Sequence, residues 1–127
     1  MKYIILVFGF LCTTSSFAIT DKEFEYTYYK LLTAYTEAQT NSHDIYRYSD
    51  SSEVSRLEDK LKIQAKRDCI TWRAARDYAA YVIENFDQYE AAVKNNTPLF
   101  DNISRREWEL ALKETNRKLH NPKNECN

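Results

Sequence analysis

An all-α fold is what this sequence predicts: a small antiparallel bundle of three principal helices, the middle one long or bent, with one disulfide. Three observations predict it. The only glycine is Gly9, so the rest of the chain lacks the residue that most readily serves tight hairpins. Capping-box tetrads, Thr20-Asp21-Lys22-Glu23 and Ser104-Arg105-Arg106-Glu107, stand ahead of apolar runs. Between them, apolar residues step by three and four, the spacing that lines one face of a helix.

The start of the chain sets the expected compartment. Met1-Lys2 is basic, Tyr3 to Leu11 is almost wholly apolar, and Ser16-Phe17-Ala18 offers small residues at the two positions that a signal peptidase reads. Residues 1–18 therefore read as an export signal that takes Cys12 with it, and residues 19–127 as a single helical domain. The apolar run falls short of the ~20 residues needed to span a bilayer, so no stable membrane insertion is expected once the signal is removed. The predicted location is the periplasm or the secreted space.

Each helix has its own justification. Helix one opens at the Thr20 capping box, carries Phe24, Tyr28, Leu31, Leu32, Tyr35 and Ala38 on one face, and should end near Thr40. Helix two is expected from about Ser51, where Asp50-Ser51-Ser52-Glu53 has capping-box spacing, to about Lys94. Its stripe runs through Val54, Leu57, Leu61 and Ala65 into Trp72, Ala75, Ala79, Val82, Phe86, Tyr89 and Val93. Such a length is unusual in a small domain, which predicts a bend or break near Glu84 to Asp87. Helix three opens at Ser104, with Ile103 placed to staple against Trp108. It buries Trp108, Ala111, Leu112, Thr115 and Leu119, and is stopped by Asn121-Pro122.

Without the signal, two cysteines remain, Cys69 and Cys126. In an oxidising compartment an isolated pair is most simply one disulfide, and closing so long a loop is worth ~4 kcal/mol in the chain-entropy model. Neither His43 nor His120 stands at ligand spacing from a cysteine, so no metal site is predicted.

Composition excludes much chemistry. Removing Lys2 leaves 17 basic residues against 19 acidic ones, a balance that gives no support for a nucleic-acid partner. Without glycine, phosphate-cradling loops, dinucleotide turns and the nucleophile elbow lose the positive-φ positions on which they depend. His43 has no local motif, and His120 reads as a helix cap. Carboxylate neighbours such as Glu58 with Asp59, or Glu107 with Glu109, face different directions on a helix. The sequence thus predicts no enzyme, no catalytic residues and no cofactor.

What remains is binding. Arg56, Lys60, Lys62, Lys66, Arg67, Arg73 and Arg76 make the first half of helix two basic, with Glu58, Asp59, Asp68 and Asp77 interleaved as ion-pair partners. Tyr26 and Tyr29 lie off the buried stripe of helix one. Aromatics and arginine are the common anchors of protein interfaces. The connections between helices therefore supply the candidate contact residues: Tyr46, Arg47, Tyr48 and Asp50 from the first, and Leu99, Phe100 and Asp101 from the second.

Trp72-Arg73-Ala74-Ala75-Arg76-Asp77, preceded by Leu61 and Gln64, resembles the W-x-x-x-R-D core of the lysozyme inhibitor LprI-like domain. The resemblance covers about twenty residues. From the residues alone, Trp72 is a core side chain and Arg76 with Asp77 pin adjacent helices. The resemblance implies a protein partner: an envelope-targeting hydrolase such as a lysozyme, or a competitor's toxin against which the chain acts as an immunity protein. Two other readings fit the same sequence. One is a structural or chaperone-like helical module of the envelope. The other is a secreted eukaryotic protein, for which Asn95-Asn96-Thr97 and Asn102-Ile103-Ser104 would be glycosylation sequons.

Overall fold

The computed structural model describes residues 19–43 and 54–126. Among them are four α-helices, α1 (Asp21–His43), α2 (Val54–Glu84), α3 (Phe86–Lys94) and α4 (Arg105–Leu119), followed by a 3-10 turn at Pro122–Asn124. No strand occurs among the described residues. The export-signal reading of residues 1–18, and the proposed cap at Asp50-Glu53, lie outside them.

Both capping boxes form. At α1, Thr20 N–H donates to Glu23 Oε2 (3.1 Å) while Glu23 N–H donates to Thr20 Oγ1 (3.3 Å). At α4, Ser104 N–H donates to Glu107 Oε2 (2.7 Å) and Glu107 N–H to Ser104 Oγ (3.3 Å). These bonds satisfy backbone donors that have no intrahelical partner.

α1 runs to His43 rather than to Thr40, because its last turn is tied to α2. Ser42 Oγ donates to Asp68 Oδ1 (3.0 Å), Gln64 Nε2 donates to both Ser42 Oγ (2.9 Å) and Asp68 Oδ1 (2.7 Å), and Arg67 donates to the Asn41 carbonyl. One turn on, Thr71 Oγ1 reaches the Ala38 carbonyl at 3.1 Å. At the other end Phe24 stacks on Tyr81 with ring centroids 5.6 Å apart, so α1 and α2 are antiparallel. α4 is antiparallel to α2 as well, with Trp108 edge-on to Tyr78 at 5.0 Å and Leu119 packed with Cys69 and Trp72. α2 is the central element.

The long helix divides at Asn85, inside the stretch where an interruption is expected. Asn85 has φ −119° and ψ 39°, and its side-chain Nδ2 donates to the Tyr81 carbonyl at 2.9 Å. An amide that bonds back to the i−4 carbonyl competes with the helix ladder and bends the chain. The predicted middle helix is therefore two helices.

The core is aromatic. Phe24, Tyr28, Tyr78, Val82, Tyr89, Phe100 and Trp108 are all buried in one cluster with Ala79 and Ala92. Ile103 packs against this cluster, as a staple should. Fully buried side chains of this size contribute ~2–3 kcal/mol each, and well-oriented ring pairs about 1 kcal/mol more. A second, smaller cluster joins Leu119 and half-buried Trp72 to the Cys69–Cys126 disulfide, whose Cα atoms are 5.4 Å apart. Arg73 donates to the Cys126 carbonyl, and Asn124 Nδ2 donates to the Lys118 carbonyl at 2.8 Å, so polar bonds as well as the bridge hold the tail on α2 and on the end of α4.

Four sequence expectations need correction. Phe100 is not an exposed loop residue; it lies in the core at 8% exposure, stacked on Tyr28 with centroids 3.9 Å apart. Leu57, Leu61 and Ala65 are exposed, because α1 meets α2 from Gln64 onward and the tail meets it from Ala65 onward. Periodicity there marks a face without supplying a neighbour. Ala111, assigned to the buried stripe of α4, faces out. Arg76 and Asp77 do not pin separate helices but pair with one another at 2.8 Å.

Replacing Cys69 and Cys126 together with serine should lower the unfolding free energy by ~4 kcal/mol, and Phe100→Ala should lower it by ~3–5 kcal/mol as a large buried side chain is removed. Denaturant titration reads both. A Phe100→Ala variant with wild-type stability would mean that the loop does not enter the core.

Candidate functional site

The connection between α3 and α4 is built residue by residue from the end of α3. Asn96 N–H bonds to the Val93 carbonyl and Thr97 N–H to the Ala92 carbonyl, each at 3.0 Å, with Asn96 at φ 52°. That is a Schellman motif, with asparagine in the left-handed position usually held by glycine. Pro98 follows, where a residue unable to continue the helix is common.

The next turn spans Thr97 to Phe100 and is closed by Phe100 N–H to the Thr97 carbonyl at 3.3 Å. Pro98 occupies its second position and Leu99, at φ 65°, its third. Proline followed by positive φ is the type II arrangement, which selects glycine or asparagine at the third position. A leucine there costs about 1–2 kcal/mol of backbone strain. It gains little burial in return, being 67% exposed.

Tyrosines brace this strained turn from below. Tyr28 OH donates to the Leu99 carbonyl at 2.9 Å, Tyr29 OH to the Pro98 carbonyl at 2.7 Å, and Tyr89 OH to the Asp101 carbonyl. Phe100 fills the space between, against Phe24, Tyr28, Tyr29 and Tyr89. The loop backbone is therefore satisfied from the protein side, while Leu99 and Asp101 point to solvent.

The phenols remain donors across the physiological range. Burial pushes the Tyr28 hydroxyl up to about 12, partly offset by the adjacent Tyr78 hydroxyl. Burial likewise raises Tyr78 and Tyr89. The Trp108 indole partly offsets the rise at Tyr89, although its N–H does not reach well-formed hydrogen-bond geometry with any acceptor.

Of the candidates drawn from the sequence, Leu99 stands on this exposed turn, Asp101 directly after it, and Phe100 anchors it from inside. Tyr46, Arg47, Tyr48 and Asp50 lie outside the described residues. The bracing tyrosines were missed by sequence reasoning. The available signal was their chemistry: Tyr28 and Tyr89 stand on apolar stripes where leucine would pack equally well, and a buried phenol needs an acceptor. The basic half of α2 is partly committed, with Arg67 and Arg73 bonded to carbonyls and Arg76 paired with Asp77.

His120 caps α4, with Nδ1 2.7 Å from the Asn116 carbonyl. Among the described residues no group of three or more His, Cys, Asp or Glu could hold a metal ion, and no helix is long and apolar enough to cross a membrane. No protein-family model, curated protein or solved structure matches the chain.

Burial of Tyr28 beneath the turn gives stability a defined alkaline limit. Tyr28 is raised in the folded state to about 12 from an ordinary value of 10.0, so its contribution is fully present below pH ~10 and is lost as pH rises towards ~12. Melting temperature measured against pH should be level up to pH ~9.5 and fall above it, with part of the tyrosinate absorbance appearing late. Titration of every tyrosine in one phase near pH 10, with no loss of stability, would contradict the burial of Tyr28.

Proposed function

We propose that this protein is an exported, non-enzymatic binding protein that presents the Leu99 turn to a cleft of a partner, the partner being a lysozyme or another peptidoglycan-targeting enzyme. The observation that carries the reading is Leu99 itself. A branched apolar side chain stands in solvent at a backbone position suited to glycine, on a turn braced by tyrosine hydroxyls. For folding alone, asparagine would serve better there.

The mechanism is occlusion by a pre-organised loop. Leu99 enters an apolar subsite, the backbone beneath it is already ordered, and less conformational entropy is lost on binding than with a mobile loop. Asp101 places a carboxylate beside the anchor for donors that line the cleft. The enzyme class is supported by the resemblance of the Trp72–Asp77 stretch to the lysozyme inhibitor LprI-like domain. Export is supported by the signal-like start of the sequence and by the disulfide, a bond that persists in oxidising compartments.

A second reading, a structural or chaperone-like helical module, is favoured by one observation: Leu57, Leu61 and Ile63 stand exposed on α2. The two readings place the contact at different ends of the molecule.

Leu99→Asn separates folding from function. It should raise stability by about 1 kcal/mol through relief of strain, while weakening inhibition by about tenfold or more through loss of the anchor. Inhibition is read from turbidity assays of peptidoglycan digestion across a panel of lysozymes and bacterial hydrolases, with stoichiometry from the complex. Full inhibition by Leu99→Asn, or no hydrolase inhibited by the wild-type protein, would overturn the proposal.

A further inference from the structure

Beside the Leu99 turn, the chain forms an open groove of about 610 Å³ between α3 and the first turn of α4. Its floor is apolar: Phe86, Val93 and Ile103, each half-buried, over buried Tyr89. Its rim carries three cations, Lys94, Arg105 and Arg106, against one carboxylate, Glu90.

The cations are not equivalent. Arg105 is committed, with Nε 3.1 Å from Glu109 and its guanidinium 5.6 Å from the centre of the Phe86 ring. It forms a fixed wall. Lys94 and Arg106 take part in none of the ion pairs among the described residues. The helix terminus contributes little further attraction, because the Glu107 carboxylate already sits on Ser104 at the start of α4.

We infer that this groove is a second docking site, which takes an acidic, apolar peptide segment of a partner protein. The apolar floor receives an aromatic or aliphatic side chain, and Lys94 and Arg106 receive carboxylates that flank it. Charge complementarity selects the sign of the segment. The openness of the groove selects a segment over a small molecule, since small-molecule sites enclose most of their ligand and this surface encloses little. Glu90 disfavours a polyanion such as a nucleic acid, as does the acidic balance of the chain. The inference does not depend on Leu99, which lies outside the groove lining.

The test uses two blocked tetrapeptides, acetyl-Asp-Phe-Glu-Leu-amide and its neutral counterpart acetyl-Asn-Phe-Gln-Leu-amide, titrated into isotope-labelled full-length mature protein and followed by backbone amide NMR. The acidic peptide should shift the amides of Val93, Lys94, Ile103, Arg105 and Arg106 and bind about fivefold or more tightly than the neutral one. Lys94→Gln and Arg106→Gln should each weaken it, and Glu90→Gln should strengthen it. These side chains face solvent, so the same spectra verify that each variant is folded. Equal binding of the two peptides, shifts centred elsewhere, or no shifts at millimolar peptide would each overturn the inference. Because Leu99 is untouched, failure here leaves the hydrolase reading standing, and loss of inhibition in Leu99→Asn leaves the groove standing.

Discussion

Phenol hydroxyls donating to the carbonyls of Pro98, Leu99 and Asp101 do for the α3–α4 connection what a strand ladder does in a sheet. They satisfy backbone acceptors that would otherwise need water, and they do so from rings that are part of the core, Tyr28 and Tyr89, or packed against it, Tyr29. Tyr28 shows the coupling most directly: its ring stacks on Phe100 at 3.9 Å while its hydroxyl holds the carbonyl of the residue before. Loop conformation and core packing are therefore one cooperative unit. Loosening the rings would free the turn, and freeing the turn would open the core at Phe100.

The scarcity of glycine gives this arrangement its character. Left-handed backbone is needed at Asn96, Leu99 and Glu125, and none of these is glycine. Asparagine reaches that region at modest cost because its short polar side chain bonds locally. At Glu125 the distortion falls in a tail held by the adjacent disulfide and by Arg73. Leu99 has neither excuse, since it is largely exposed and its strain is borne by the tyrosines beneath. This is the reason for assigning it a contact role rather than a folding role.

Local chemistry was legible in the sequence, and long-range geometry was less so. The capping boxes at Thr20 and Ser104, the break near Asn85 and the pairing of Cys69 with Cys126 could be read because each rests on a few residues with one dominant physical preference. Leu57 and Leu61 have the spacing of a buried stripe, yet both are exposed, because spacing does not say where α1 ends. From sequence alone Phe100 reads as a loop contact, because Pro98 and the Ser104 cap bracket it in a polar connection. Only the fold brings Tyr28, Tyr29 and Tyr89 around it. The chemistry of the candidate turn was visible in Leu99 and Asp101, whereas its rigidity depends on partners some 70 residues away.

Rigidity of the turn is the central claim, and backbone 15N relaxation on the oxidised protein measures it directly. If the tyrosine brace holds, the amides of Thr97, Leu99, Phe100 and Asp101 should show order parameters near 0.85, level with those of α2 and α4. Values below about 0.6 across the same residues, with the helices rigid, would show a mobile loop and contradict the account.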